Sequence, residues 1–278
     1  MCQKLFTSIT LLLVLGLMGC NSSSTGEQSA DSMAQFTTDS SFKNAHEQPE
    51  AIEFQARGEM MEFKTPDGAT GKAYTIKPAA AGTKFLFVIH EWWGLNDQIK
   101  REAERLADSL GNVTVMALDL YDGKLTDNPD EAGKLMGAVK PERCEAIIKG
   151  ALAVAGENGQ VATVGWCFGG GWSLRSSILA GKQGAGCVIY YGMPVEKANE
   201  LVPLQADVIG IFAKKDEWIN DKVVSKFEGL AKATGKKLAV HWYDAEHAFA
   251  NPSSPRYNEQ AAKEANQVAL AFLREKLK

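Results

Sequence analysis

The stretch Val161-Ala162-Thr163-Val164-Gly165-Trp166-Cys167-Phe168-Gly169-Gly170 decides the fold. A short apolar run, a turn with small residues on both sides of Cys167, and a helical pattern from Cys167 to Ala180 read as strand, sharp turn and helix. A nucleophile presented on such a turn leaves no room for a Cβ at Gly165 or Gly169, because neighbouring backbones pass too closely. At the first turn of a helix, unpaired N–H groups and the dipole favour a thiolate, so Cys167 is expected to be more acidic than a free cysteine. The competing reading is an inert cysteine in a glycine-rich turn.

Outward from that turn, buried strands and helices alternate. The apolar run at 85–89 has no polar face and suits a central parallel strand covered on both sides; 113–118 reads as the next buried strand, and further strands are expected at 161–164, 187–191, 208–213 and 237–243. Helical spacing falls at 97–110, 131–139, 142–155, 167–180, 221–234 and 260–277. Before them, Ala51–Arg57, Met60–Lys64 and Lys72–Lys77 alternate apolar and polar residues like half-buried antiparallel strands, the last two joined by a turn at Pro66-Asp67-Gly68. The expected class is α/β: one doubly wound, mostly parallel sheet with helices on both faces, over residues 51–278. Active sites in such sheets lie at the carboxyl ends of the strands.

Two more residues fall at such ends. The run 208–213 leads into Lys214-Lys215-Asp216, and 237–243 leads into Asp244-Ala245-Glu246-His247. Alone, Asp216 reads equally as a helix cap and His247 as a loop residue. Nucleophile, acid and histidine in that chain order, each after its own strand, follow the order of the α/β-hydrolase fold.

The wording around them resembles the dienelactone hydrolase family. The matching pieces are His90-Glu91-Trp92-Trp93-Gly94-Leu95-Asn96, Asp119-Leu120-Tyr121, the Cys167 turn, Tyr190-Tyr191-Gly192, Asp216 and His247-Ala248-Phe249-Ala250-Asn251, spanning about Phe85 to Leu277. The resemblance implies Cys167 as nucleophile, His247 as general base and then acid, and Asp216 as the carboxylate that orients it. It implies that Glu91 pairs with the resting thiol and is displaced by substrate; the plain alternative is an acid ahead of a helix. It also implies an oxyanion hole from the backbone N–H groups of Trp92 and Phe168. Trp93, Tyr121, Tyr191, Trp218 and Phe249 fall on post-strand loops or strand ends, where they would line an apolar acyl pocket or pack in the core. In that family, arginines hold the substrate carboxylate, one of them four residues after the histidine. Asn251 stands there in this chain, and the Tyr121 loop offers Lys124. An amide does not replace a bidentate clamp, so a neutral ester, lactone or thioester is the expected substrate.

The composition, 45% hydrophobic and 23% charged, is that of an ordinary globular protein. The 278 residues carry a formal charge of −4 with no basic stripe, which argues against a nucleic-acid partner. Residues 1–19 have the form of a signal peptide, and Leu17-Met18-Gly19-Cys20 looks like a bacterial lipobox, making Cys20 the expected lipidation site and membrane link. The apolar run is shorter than a spanning helix needs. Residues 20–50, poor in large apolar groups over most of their length, are expected to be a flexible tether to a lipid-anchored domain in the cell envelope. Cys144 and Cys187 read as buried hydrophobes or as a pair, and a redox role with Cys167 would require close Cα spacing. His90-Glu91 begins like a zinc motif, but Gly94 stands where the second histidine belongs, so no metal and no cofactor are expected. A monomer is the default. The leading expectation is a hydrolase with an acyl-cysteine intermediate, its rate rising with pH near neutrality as His247 loses its proton. The alternative is an envelope lipoprotein that binds a ligand on the same fold without turnover.

Overall fold

A computed structural model describes residue 1, residues 32–80 and residues 82–278. The signal peptide and the Cys20 lipidation site lie outside the described residues. Among the described residues, no helix is long and apolar enough to cross a membrane.

Among the described residues, eight strands form one sheet: β1 (Glu59–Lys64), β2 (Thr70–Ile76), β3 (Lys84–Ile89), β4 (Thr114–Leu118), β5 (Gln160–Trp166), β6 (Gly184–Tyr190), β7 (Asp207–Ala213) and β8 (Leu238–Tyr243). Their order is β1-β2-β4-β3-β5-β6-β7-β8. β1 and β2 run antiparallel, β2 meets β4 antiparallel, and the remaining neighbours are parallel. The helices are α1 (Ser40–Asn44), α2 (Asp97–Leu110), α3 (Pro129–Gly137), α4 (Pro141–Ala155), α5 (Phe168–Ala180), α6 (Ala198–Leu201), α7 (Asp221–Ala233) and α8 (Glu259–Lys276). This is the α/β-hydrolase architecture anticipated from the alternating pattern. The chain leaves β3 toward β4 on one side and returns to β5 on the other, so strand order reverses beside β3, the place where sheets of this kind carry their sites.

Local chemistry sets the elements. Asn96 Oδ1 accepts from the Ile99 N–H at 3.1 Å to start α2, and Gly111, at φ 74°, ends it. α2 buries Ile99, Ala103, Leu106 and Ala107 against the sheet. α5 is buried along most of its length and is tied to the strands by polar contacts as well as packing. Ser173 Oγ lies 2.8 Å from Thr163 Oγ1 and 2.9 Å from the Val188 carbonyl, linking α5 to β5 and β6 beneath Cys167. Such a satisfied buried network fixes one arrangement of helix on sheet.

Two expectations change. Residues 51–57 are not a strand: the Arg57 N–H donates to Glu104 Oε1 at 2.7 Å and the Gly58 N–H to Tyr74 Oη at 2.7 Å, so donors that a ladder would use go to side chains. The flexible tether expected over 20–50 does not extend through its described part. Residues Ser32–Phe36 form a 3-10 turn that packs against α3 and α5, and α1 follows. Met33 and Phe42 are fully buried and His46 nearly so. Three apolar anchors, Met33, Phe36 and Phe42, suffice to dock a segment whose average composition is polar. Lys43 pairs with Asp130 of α3 at 2.9 Å, Gln48 donates to Asp127 at 2.9 Å, and the Glu50 N–H donates to the Ser253 carbonyl at 3.0 Å.

Candidate active site

Cys167 occupies the turn between β5 and α5 with φ 55° and ψ −118°, a backbone state that costs a non-glycine residue roughly 1–3 kcal/mol. The turn is held from both sides. The Cys167 N–H donates to the Tyr190 carbonyl at 3.0 Å, and the Gly170 N–H donates to the Cys167 carbonyl at 2.9 Å. A Cβ on Gly165 would collide with the Gly169 carbonyl, and one on Gly169 with the carbonyls of Ile89 and His90. The sharp turn and the two glycines are therefore one steric unit that lifts the sulfur above the sheet.

Beyond β7, Asp216 Oδ1 accepts from the backbone N–H groups of Trp218 and Ile219, both at 2.9 Å. Its Oδ2 accepts from His247 Nδ1 at 2.6 Å, with both side chains fully buried. His247 Nε2 has no hydrogen-bond partner, and a His247 ring nitrogen lies within 4.8 Å of the Cys167 sulfur. Burial pulls the His247 imidazole down, but the Asp216 charge and that of Cys167 outweigh it and push its pKa up to about 10. Burial raises the Cys167 thiol, with His247 opposing. Burial also disfavours the Asp216 carboxylate, yet the His247 charge and the two backbone donors hold it below its ordinary value. The expected pH response at neutrality therefore moves alkaline, because the imidazole keeps its proton well past its ordinary range.

Glu91 follows β3, is 5% exposed, and borders the same small cavity as Cys167. Burial pushes its carboxyl up to about 7 against the opposing His247 charge, and Asn251 Nδ2 donates to its Oε2 at 2.6 Å. The Phe168 N–H faces the Cys167 sulfur. Trp92 is fully buried beside it, its ring 4.9 Å from Trp93 and 4.7 Å from His46.

The five aromatic candidates divide. Trp93 borders the cavity at Cys167, Trp218 meets His247 edge-on at 5.9 Å, and Tyr191 lies 5.1 Å from His247. Phe249 is fully buried between Tyr191 and Tyr243 and packs in the core. Tyr121 meets His90 edge-on and Phe168 at a tilt, and lines a separate cavity with Lys124 and Arg143. Arg143 is committed there to Asp122 and Asp67, at 2.7 and 3.0 Å.

His46 is the residue that sequence reasoning missed. It enters from the segment after α1, with Nε2 4.0 Å from the Cys167 sulfur and its ring 5.0 Å from that of His247. Its Nδ1 lies 2.7 Å from the Phe42 carbonyl, which only accepts, so Nδ1 carries the proton and Nε2 presents a lone pair to the sulfur. Burial lowers its pKa to about 3, with the His247 charge adding. A signal was present: Phe42 and His46 are four residues apart, the spacing of one helical face, in otherwise polar chain. With this segment in place the cavity at the sulfur has a volume of about 10 Å³, lined by His46, Glu91, Trp92, Trp93 and Cys167 among others. That is room for about one water. Cys167 and Cys187 form no disulfide, and the Cys144 thiol faces the Leu120 carbonyl at 3.6 Å.

Comparison with known proteins gives the family. The dienelactone hydrolase family model matches residues 72–277, every element from β2 to α8. The chain belongs to the dienelactone hydrolase family. Among curated relatives of this dienelactone hydrolase family member, "Protein usf" of Aquifex pyrophilus is 30% identical over 236 residues, covering 79% of this chain and 99% of that protein. Carboxymethylenebutenolidase 1 of Cupriavidus pinatubonensis is 28% identical over 228 residues, covering 77% and 95%. Among solved structures, the dienelactone hydrolase from Anabaena variabilis shares the fold with a TM-score of 0.59 at 15% identity, covering 81% of this chain and all of that one. Membership makes the chain a hydrolase, and the Cys167, His247 and Asp216 side chains stand in the arrangement such chemistry needs. The matched region begins at residue 72, so the segment carrying His46 lies outside it.

Proposed function

We propose that this enzyme hydrolyses a neutral carboxylic ester, lactone or thioester through an acyl-cysteine intermediate. The observation that carries the reading is the contact chain from Asp216 through His247 to the sulfur of Cys167 on a strained turn. In the reaction, Cys167 passes its proton to His247 and attacks the carbonyl carbon. The N–H groups of Trp92 and Phe168 receive the developing oxyanion. Collapse expels the alcohol or thiol, protonated by His247, and leaves an acyl-cysteine. Water, deprotonated by His247, then attacks that thioester and releases the acid and the thiol. Glu91 shields the resting sulfur from oxidation. Asp216 keeps the imidazole in one orientation and balances its charge.

The neutral substrate follows from polar side chains that are already committed to other partners. Asn251 is used by Glu91 and by Ser253, whose N–H donates to Asn251 Oδ1 at 2.9 Å, and Arg143 is held by two carboxylates. Because the cavity at the sulfur admits about one water, an acyl group enters only when residues 32–49 move aside. Hydrolysis of p-nitrophenyl acetate by the wild type, abolished in Cys167→Ala with the fold intact, tests the reading. An inactive wild type whose melting temperature rises with a ligand would instead favour a binding protein.

We also infer that the chain is exported and held at a membrane by lipid on Cys20, supported by the lipobox Leu17-Met18-Gly19-Cys20. Incorporation of labelled palmitate into the wild type but not Cys20→Ala tests this.

A further inference from the structure

Hydrolysis at Cys167 needs one imidazole, yet two face the sulfur. His46, Cys167 and His247 come from three distant parts of the chain, and one ligand atom from each lies within 4.8 Å of the others. All three are buried, at 7%, 1% and 1% exposure. Each imidazole has its Nδ1–H directed to an oxygen: the Phe42 carbonyl at 2.7 Å for His46, and the Asp216 carboxylate at 2.6 Å for His247. This is the outer arrangement that orients metal-bound histidines, with each Nδ1 occupied and each Nε2 left as the ligand atom. The His247 Nε2 is buried with no hydrogen-bond partner, and a cation binding there displaces the proton that the imidazole holds near neutrality.

We propose that His46, Cys167 and His247 form a site for one thiophilic divalent cation, Zn2+, that holds the enzyme in a closed, inactive state. With Zn–N near 2.0–2.1 Å and Zn–S near 2.3 Å, tetrahedral ligand atoms stand ~3.5 Å apart, so side-chain shifts of about an ångström close the cluster. The cavity of about 10 Å³ at the sulfur leaves the fourth position to one water. Binding forms one S–Zn and two N–Zn bonds and breaks the Cys167 S–H bond. That proton goes to solvent, with any proton on His247, and nothing is oxidised or reduced. The cation takes up the lone pairs that attack and proton transfer require. Through His46 it also pins the covering segment over the sulfur.

Cobalt provides a direct readout. The full mature chain, stripped with chelator and titrated with Co2+, should bind one ion with a thiolate-to-cobalt absorption band, lost in Cys167→Ser. Zn2+ should displace Co2+, slow iodoacetamide labelling of Cys167 and suppress ester hydrolysis, all reversed by chelator. His46→Phe and His46→Gln, each checked for an unchanged metal-free melting temperature, should weaken Zn2+ at least ~tenfold, the smallest loss that even an outer-shell change brings. Absence of the band, Zn2+ that fails to protect Cys167, or both His46 variants binding as tightly as the wild type overturns the site. The band without any ester hydrolysis would leave the ion site standing and remove the acyl-cysteine reading; hydrolysis without the band does the reverse.

Discussion

Asn251 Nδ2 donates to Glu91 Oε2 at 2.6 Å, joining the loop after the site histidine to the loop after β3. The carboxyl that borders the nucleophile's cavity thus has a fixed partner. It is buried, and its titration is legible in stability.

The Glu91 carboxyl titrates near 4.5 when exposed and at about 7 in the fold, so its protonated form is the one the fold favours. Its contribution is complete below pH 4.5 and is lost as pH rises through about 7. Glu91→Gln keeps an oxygen for Asn251 and removes the titration. Urea unfolding of the two proteins between pH ~5 and ~8 should show the variant gaining on the wild type as pH rises. A difference that stays constant across that range would refute the assignment.

Asp216 raises the His247 imidazole and fixes its orientation. In Asp216→Asn the two backbone donors to Oδ1 can be kept, but the charge is gone. The expected result is a loss of kcat on the order of 10⁴-fold with the alkaline limb of the pH–rate profile moved to lower pH. An unmoved limb would show that another group sets it.

Phe42 anchors the covering segment, with its ring 5.4 Å from Trp92 and 5.2 Å from Trp218. Truncating a buried phenylalanine removes ~3–5 kcal/mol of packing, here from a segment with few other anchors. Phe42→Ala should speed tryptic cleavage at Lys43 and raise kcat/KM for bulky esters, while the melting of the main domain holds. Equal cleavage rates in both proteins would contradict it.

Acid should loosen the same segment. The His46 pKa drops from 6.5 to about 3 on folding, so its contribution is present above 6.5 and is lost as pH falls toward 3. The groups around it are the Phe42 carbonyl, Cys167, His247, Asp216 and Arg256, and the His247 and Arg256 charges oppose a second cation there. Cleavage at Lys43 by an acid-tolerant protease should accelerate below pH ~6, and no change would sink this account.

Gly165→Ala should yield little folded protein, since the new methyl meets the Gly169 carbonyl, a backbone atom that cannot step aside. Expression with the wild-type circular dichroism spectrum would count against the close approach. That constraint explains what the sequence revealed. Gly165, Cys167 and Gly169 lie in one short run, so a steric rule exposes them together. Asp216 and His247 were found because each follows a strand, buried in β7 and half-buried at the sheet edge in β8, and both strands are visible as stretches rich in apolar residues. The failures are equally physical. Phe249 and Tyr121 sit at strand ends, as pocket residues do, but spacing along a chain does not say which side of a loop meets the core. His46 acts at a distance of 121 residues from Cys167, and its docking depends on three apolar side chains diluted in polar chain.

The segment from Ser32 to His46 both begins the described fold and closes over the sulfur. Any load applied at the N-terminal end of the chain reaches this segment before the sheet, so tension there would tend to uncover the thiol. Immobilising the enzyme by its first residues or by its last should then give two different turnover rates.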